Sequence, residues 1–199
     1  DVLAAVHRRG TLLWARRPDQ DAFLQLRLGL GAQESRSTVT LPHQGRNSPH
    51  LWQELVAVRD RFRLVDGVPV VADLRESGAV GVSGPLERRM DVMRALAAQL
   101  AGLHSPQEVQ LAVVCPPSAI AQWHWLSWLP HTTPERSPLG VPHLASAPDA
   151  CARLLAGFEG LIESRSEASR ASAGGAGEAA LPAVVLIVDD GAPVERGRL

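Results

Sequence analysis

Hydrophobic and polar residues alternate along the first forty positions, as they do in half-buried β-strands. The alternation runs through residues 12–17 and 22–30 and returns over residues 36–41. Glycines and a proline punctuate these runs, and such residues interrupt regular structure. The pattern therefore predicts a small β-rich layer, residues 1–48, packed on a core formed by the rest of the chain.

Apolar residues at steps of three and four predict helices further along the chain. The helix expected over residues 51–64 has an apolar face made by four residues: Leu51, Leu55, Val58 and Phe62. The helix expected from Pro85 to residue 103 has an inner face made by five: Met90, Met93, Leu96, Ala97 and Leu100. Two more helices are expected over residues 118–129 and 148–164.

Short apolar runs between these helices predict strands over five segments: residues 69–74, 79–82, 111–115, 143–145 and 182–188. The run at 111–115 is almost wholly apolar, which is typical of parallel sheets covered on both faces. Strands that alternate with helices predict βαβ units, and therefore a three-layer α/β sandwich with a mostly parallel sheet over residues 49–199. Residues 167–180 are mostly Ser, Ala and Gly, which predicts a flexible loop inside this domain.

The composition narrows the possible partners. Twenty basic residues against 21 acidic ones leave a net charge of −1, so no overall field attracts nucleic acid or anionic lipid. All the basic residues are arginine, and the chain contains no lysine. Cys115 and Cys151 lack CxxC spacing, which favours two free thiols in a reducing compartment. No apolar run is long enough to span a bilayer, and a chain that begins with Asp is expected to be part of a longer polypeptide.

The strand–loop–helix expected at residues 79–103 occupies the place of a phosphate-binding loop in a P-loop NTPase. Its candidate phosphate contacts are Ser83, Gly84, Arg88 and Arg89. The GxxxxGK[ST] pattern is absent, and Glu87 would repel phosphate. Because arginine does not reproduce a lysine point charge in a tight loop, we expect a degenerate P-loop ATPase-like fold without efficient hydrolysis.

The strongest apolar strand, PAVVLIV at residues 182–188, runs into Asp189 and Asp190. A Walker B strand delivers acids to the same sheet edge, where they hold Mg²⁺ and orient water. These two residues are therefore degenerate Walker B candidates, with Asp189 the possible Mg²⁺ ligand. The alternative is a solvated turn after a strand, which is the more common arrangement.

Three tryptophans cluster in residues 123–131, WHWLSWLPH. At α-helical spacing Trp125 and Trp128 share a face, which predicts core packing, while Trp123 points elsewhere and stays partly exposed. The alternative is a partner surface formed by these tryptophans together with His131, since aromatic anchors dominate interfaces. The seven histidines form neither HxxxH nor HExxH, so a zinc site is not expected.

Four segments carry a resemblance to a known family. Residues 99–106 (QLAGLHSP), the apolar strand at 109–114 and residues 123–131 resemble, in this order, a stretch of the EccC proteins. Residues 13–31 (LWARRPDQDAFLQLRLGLG) also look like that family's "WERRxxDxDFLxxRxGxG" element. EccC proteins are FtsK/SpoIIIE-related ATPases of actinobacterial type VII (ESX) secretion. Asp21 keeps the family's acid, whereas Ala15 stands where the family usually has Glu.

The resemblance implies a position in the parent protein after two transmembrane helices and before the first intact ATPase module. It implies a location on the cytoplasmic face of the inner membrane, in a translocon with EccB-, EccD- and EccE-like subunits. It also implies a hexameric parent whose downstream modules bind ATP and Mg²⁺, with no cofactor expected in this chain. The expected function is non-catalytic coupling of the membrane segments to those modules. One alternative is a weakly active or nucleotide-sensing domain; another, a DNA-translocating motor, is disfavoured by the neutral charge, and no nucleic-acid partner is expected.

Overall fold

The computed structural model describes residues 10–41, 43, 49–133, 135, 137–171 and 182–194. The chain divides into two compact units, the first comprising residues 1–23 and 97–199 and the second residues 24–96. The division predicted after residue 48 falls inside the second unit.

The second unit contains a two-stranded antiparallel sheet and the first helices. Strand β1 (Gln25–Glu34) pairs with β2 (Leu64–Asp73), with Gln25 opposite Asp73 and Glu34 opposite Leu64. Helix α1 (Pro49–Arg61) joins them, and a short helix α2 (Leu74–Ser77) follows β2 directly. The Asp73 side chain caps α2 by accepting the Arg75 N–H at 2.9 Å. No residue of α1 is buried, so its predicted apolar face does not point into a core.

Three predicted strands are wrong. Residues 36–41 are irregular, and residues 12–17 form a turn whose only ladder contact with the described residues is a bridge from Arg16 to His104. Residues 79–82 pair with no strand in the described part of the chain. The physical reason is the same for all three segments. A strand needs a neighbouring strand to pair with its backbone N–H and C=O groups, and alternating apolar and polar residues do not provide that neighbour. The β-rich layer therefore consists of β1 paired with β2, whose second strand lies beyond residue 48.

Helix α3 (Leu86–Leu103) begins one residue after Pro85, and the boundary between the two units falls within it. The Pro85 carbonyl accepts the Arg89 N–H at 2.9 Å, so the proline sits at the start of the helix, as predicted. The predicted inner face is confirmed: Met90, Leu96, Ala97 and Leu100 are buried and Met93 is half-buried.

The first unit is built on a three-stranded parallel sheet in the order β4-β3-β5. These strands span Val109–Val114 (β3), Leu144–Ala145 (β4) and Ala183–Val188 (β5). Val113 lies opposite both Leu144 and Ile187. Every residue of β3 is buried, which confirms the strand predicted from its continuous apolar run and the mixed α/β class with a parallel sheet.

Helix α5 (Pro148–Ala171) follows β4 and leads toward β5. Its buried face belongs to a cluster that also includes residues of the sheet: Ala112, Val114, Leu139, Ala145, Cys151, Leu154 and Leu161. The helix is longer than predicted, since residues 167–171 are helical although a loop was expected. Alanine and glutamate there favour helix. The remainder of the predicted loop, residues 172–180, lies outside the described residues.

Residues 118–129 do not form the single helix that was predicted. They contain a short helix α4 (Ile120–Trp123) between two 3₁₀ turns, Pro117–Ala119 and His124–Trp128, and a third turn, Pro130–Thr132, follows. In the part of the chain that the structure describes, no helix has the length and apolar character needed to cross a bilayer.

Candidate functional site

Asp189 lies at the carboxyl edge of the parallel sheet, where a Walker B acid was expected. It follows the last residue of β5, and its backbone N–H donates to the Val114 carbonyl at the end of β3 at 2.9 Å. The residue is only 8% exposed. Asp190, in contrast, is exposed in the turn that continues to Gly191, whose φ of 76° suits glycine.

Both carboxylate oxygens of Asp189 accept hydrogen bonds from the protein. The Trp123 indole Nε1–H donates to Oδ2 at 2.9 Å, and the Asp190 backbone N–H donates to Oδ1 at 2.8 Å. The Trp123 side chain is fully buried. The acid is therefore held in place by its own chain, through one hydrogen bond to each of its two oxygens.

Cys115 directly follows β3 at the same edge. Burial, together with the negative charge of Asp189 and the nearby Cys151, raises the pKa of the Cys115 thiol to about 11. Burial also raises the pKa of Cys151. Both cysteines are free, as predicted, and they are buried and protonated at neutral pH, which is unfavourable for a nucleophile or a thiolate metal ligand.

The tryptophans are placed opposite to the prediction. Trp123 and Leu126 are fully buried, Trp125 is half-buried, and Trp128 is 82% exposed. Trp123 and Leu126, three residues apart, form the buried face, whereas Trp125 and Trp128, with the same separation, lie on the more exposed side. Residues three apart are neighbours in an α-helix and in a 3₁₀ turn alike, so the spacing did not reveal which pair faces the core.

The C-terminal end of α3 is capped by a segment distant in sequence. The Trp14 indole N–H donates to the Ala101 carbonyl at 3.2 Å, and the Trp14 backbone N–H donates to Gly102 at 3.0 Å. The Arg16 N–H donates to Leu103 at 2.9 Å. The remaining terminal carbonyl, that of Leu100, accepts both the backbone and the ring N–H of His104, each at 3.1 Å. All four carbonyls that a helix end leaves without a helical partner are thereby satisfied.

Three buried histidines donate to backbone carbonyls, and two of them, His131 and His143, thereby join segments that are distant in sequence. His104 donates from Nδ1 to Leu100, His131 from Nε2 to the His104 carbonyl at 2.8 Å, and His143 from Nδ1 to Leu111 at 2.6 Å. Burial lowers the pKa of His104 to about 4, and the Arg16 charge acts in the same direction. Burial likewise lowers the pKa of His131 and of His143, although hydrogen bonds to backbone carbonyls oppose it. These side chains are neutral structural links at pH 7, and His131 is not on a surface.

The candidate phosphate contacts belong to the second unit. Ser83, Gly84 and Arg88 are exposed, Arg89 is half-buried, and Gly84 has a φ of 141°. Because residues 79–82 form no strand, this loop lacks the strand that precedes a phosphate loop. Within the described ranges, no group of three or more His, Cys, Asp or Glu side chains is placed to hold a metal ion.

The relatives of this chain include three ESX secretion system proteins. The ESX-4 secretion system protein EccC4 of Mycobacterium tuberculosis is 30% identical over 125 residues, 61% of this chain. The ESX secretion system protein EccC of Thermomonospora curvata is 31% identical over 124 residues, 60% of this chain. The ESX-1 secretion system protein EccCa1 of Mycobacterium tuberculosis is 26% identical over 132 residues, 59% of this chain.

The chain belongs to the EccC family. The matched region is 10% of EccC4, 9% of the Thermomonospora protein and 17% of EccCa1, so the chain spans a small part of these relatives. No family model matches it.

Parts of the segments that carry the EccC resemblance contact one another within the first unit. Trp14, in the segment of residues 13–31, caps the end of α3 in the segment of residues 99–106. Its ring lies edge-on to that of His131, with ring centroids 6.3 Å apart. His131, in the segment of residues 123–131, donates to the His104 carbonyl. Arg17 forms a 2.8 Å ion pair with Glu108, while Ala15 and Asp21 are exposed. Residues 14–17, the end of α3 and the tryptophan segment therefore pack together within the first unit.

Proposed function

We propose that this chain is a largely non-catalytic module of a type VII secretion protein, which couples membrane segments of its parent to downstream ATPase modules during protein export. In this proposal the module lies on the cytoplasmic face of the membrane beside EccB-, EccD- and EccE-like subunits, in a parent that forms a hexamer. ATP and Mg²⁺ are bound by the downstream modules. The fold is a three-layer, P-loop ATPase-like sandwich that has lost its nucleotide chemistry.

The state of Asp189 carries the proposal. Phosphoryl transfer needs a carboxylate that holds Mg²⁺ or orients the attacking water. Here both oxygens already accept N–H groups, one of them from a buried indole. Withdrawing Oδ2 would leave the Trp123 N–H buried without its partner, a penalty of about 1–3 kcal/mol. The edge is built to hold Trp123 rather than to exchange ligands.

The phosphate side supports the same conclusion. The chain has no lysine to contact β- and γ-phosphate oxygens, and residues 83–89 follow an irregular segment rather than a strand. Arg88 is exposed on the first turn of α3, next to exposed Glu87, whose carboxylate opposes phosphate binding.

The relatives supply the context of secretion. Their names describe ESX secretion system proteins, and this chain corresponds to about a tenth of the length of the first two. A module this small relative to those proteins is expected to contribute to export as a part of its parent protein rather than as a separate enzyme.

Calorimetric titration of the chain with ATP and Mg²⁺, paired with a phosphate-release assay, tests the absence of catalysis. We expect no binding heat and no turnover, in wild type and in Asp189→Asn alike. The matched control is Asp190→Asn, which changes the neighbouring exposed acid. Turnover by the wild-type chain that Asp189→Ala abolishes would overturn the proposal and establish the nucleotide-sensing or hydrolytic alternative.

Coupling is tested in the parent EccC protein. Trp123→Phe should reduce export of secreted substrates while the parent's ATP turnover persists, because the change leaves the downstream modules intact. Trp128→Phe, on the exposed face of the same segment, is the control for tryptophan loss. Equal loss of ATP turnover and export would contradict a coupling role.

A further inference from the structure

Strand β5 lies at an edge of the parallel sheet in the first unit. In the order β4-β3-β5 it pairs with β3 on one side, and no strand of the described residues pairs with it on the other. A strand at such an edge presents a row of N–H and C=O groups to which another strand can bond.

The backbone groups on the open side of β5 follow from its hydrogen bonds to β3. The N–H of Ala183 donates to the Glu108 carbonyl at 2.8 Å, and that of Asp189 donates to the Val114 carbonyl at 2.9 Å. Alternate residues of a parallel strand bond to the same neighbour, so the odd-numbered residues of β5 bond to β3 and the even-numbered ones point away from it. We name the latter the open-edge residues: Val184, Leu186 and Val188.

The burial of β5 shows the effect of the absent neighbour. Strand β3 lies between β4 and β5, and all six of its residues are buried. Strand β5 is apolar throughout, yet residues 183–186 are half-buried and Val188 is 43% exposed, which leaves Ile187 as its one buried residue. Continuous apolar composition is typical of strands inside a parallel sheet. Strand β5 therefore has the composition of an interior strand in the position of an edge strand.

The edge also lacks the features that protect natural edge strands, which are charged residues, prolines and bulges. The six residues of β5 include no charged residue and no proline, and their register with β3 is unbroken. Pro182 precedes the strand, and the two acids follow it. Nothing in the strand itself opposes the addition of a further strand.

The chain that leaves β5 turns onto the face of the sheet that α5 covers. Ala192 and Val194 pack against the cluster that joins α5 to the sheet, as do Val184 and Leu186. Helix α5 crosses the same face on the way from β4 to β5. A connection that continues across this face to a strand beyond β5 runs in the same direction along the sheet, and so has the same hand as the crossover through α5. Crossovers between parallel strands of one sheet share the right hand.

Such a strand begins outside these 199 residues. A parallel strand requires a crossover of a dozen or more residues, and eleven residues, 189–199, follow β5. Residues 189–194 form a turn and irregular backbone. The matched regions are 10% of EccC4 and 9% of the Thermomonospora protein, so a parent of that size has ample further chain.

We propose that β5 pairs with a further parallel strand, which the parent EccC protein supplies from the residues after position 199 through a right-handed crossover on the α5 face. Strand β5 is then an interior strand, and the sheet of this chain continues directly into the next part of the parent. The inference goes beyond the proposed function and is independent of it, because the pairing requires neither a coupling role nor the absence of ATP chemistry.

Hydrogen exchange of the parent protein tests the proposal, with single amides resolved by electron-transfer fragmentation of the peptide that contains β5. We expect the amides of the open-edge residues to exchange as slowly as those of Val185 and Ile187, which bond to β3 and are the internal control. In the 199-residue chain the open-edge amides should exchange at least about tenfold faster than the control amides. The measurement is made without nucleotide, so its outcome is separate from the test of ATP binding.

Extension of the chain beyond Leu199 along the parent sequence identifies the source and direction of the strand. About 10 added residues suffice for a tight turn and an antiparallel strand, whereas a crossover, its helix and a parallel strand take about 30 or more. We expect slow exchange of the open-edge amides with about 40 added residues and fast exchange with about 10.

A proline in the parent separates strand pairing from burial. Leu186→Pro removes the central N–H of the open edge, so it should raise exchange at Val184 and Val188 at least about tenfold. The matched control is Leu186→Ala, which shortens the same side chain but keeps the N–H, and it should leave both amides protected.

Open-edge amides that exchange as fast in the parent as unpaired amides, or that Leu186→Pro leaves protected, would overturn the proposal. Slow exchange in the 199-residue chain would also overturn it, and would assign the partner strand to a second copy if dilution abolishes it and to the chain itself if dilution does not. Protection gained with 10 added residues would replace the parallel strand with an antiparallel one. Protection of the parent only on adding a secreted substrate would make β5 a peptide-binding edge instead. The comparison within the parent stands even if the 199-residue chain does not fold.

Discussion

Trp123 donates its indole N–H to Asp189, 66 positions later in the chain, at 2.9 Å. The bond ties the segment between β3 and β4 to the end of β5, and both residues are buried. An acid in the position of a catalytic carboxylate therefore acts as a structural acceptor. The contact also accounts for the polar N–H of Trp123, the most buried tryptophan of the segment.

Trp123→Phe should destabilise the chain by about 1–3 kcal/mol, because it leaves a buried carboxylate oxygen without its donor. Urea unfolding followed by circular dichroism measures the change. Trp128→Phe, at the 82% exposed position, should change the free energy of unfolding by less than about 0.5 kcal/mol. In a double-mutant cycle with Asp189→Ala, which removes the acceptor, a coupling energy near zero would contradict a direct Trp123–Asp189 interaction.

Stability should fall as pH is lowered from 7.5 to 5. Burial lowers the pKa of His104 from 6.5 to about 4. Between these two pH values the His104 imidazole is mostly protonated in the unfolded state and mostly neutral in the folded state. Linkage then makes the free energy of unfolding rise with pH across this window, and His104 alone contributes about 2 kcal/mol between pH 5 and pH 7.5. His131 and His143 shift in the same direction. Urea unfolding at the two pH values measures the difference, and equal stability at both would refute buried neutral histidines.

Trp14→Phe should destabilise the chain by about 0.5–1.5 kcal/mol, because the ring is kept while its N–H bond to the Ala101 carbonyl is lost. The backbone caps from Trp14 and Arg16 remain, so the loss is partial. Thermal unfolding measures it, with Leu12→Ala, at an exposed neighbouring position, as control. A Trp14 variant as stable as wild type would show that the cap at α3 contributes nothing.

Two glycines of α5 should respond differently to alanine. A Cβ at Gly160 meets nothing within 4 Å, so Gly160→Ala should stabilise the chain by about 0.5–1 kcal/mol through helix propensity. A Cβ at Gly157 would lie 3.2 Å from the Leu139 carbonyl oxygen, so Gly157→Ala should gain less or destabilise. Chemical denaturation of both variants gives the comparison, and equal gains would contradict the close approach of α5 to residue 139.

What the sequence predicted well depends on local pattern. The continuous apolar run of β3 identifies a doubly covered parallel strand, and the strand that ends at Asp189 identifies the acid's place at the sheet edge. What it missed depends on pairing or on which face turns inward. The short apolar run at residues 79–82 pairs with no strand among the described residues, and the spacing of the tryptophans did not show that Trp123, rather than Trp125 and Trp128, faces the core.

The pattern of apolar and polar residues also did not predict that Trp14 caps the end of α3. Trp14 and Ala101 are 87 positions apart, and the run around Trp14 alternates like a strand. An unusual feature of the backbone accompanies the contact, since Trp14 has a φ of 55°, which alternation does not encode. The signal available in sequence was the polar His104 directly after an otherwise apolar helix end.

The indole resonance of Trp123 in a ¹H–¹⁵N correlation spectrum, assigned by its loss in Trp123→Phe, tests the central claim most directly. With Asp189 held by Trp123, the signal should show slow hydrogen exchange and should not move when ATP and Mg²⁺ are added in excess. A shift or loss of protection on adding ATP and Mg²⁺, absent in Asp189→Asn, would show that the carboxylate leaves the indole for a metal ion and would contradict the account.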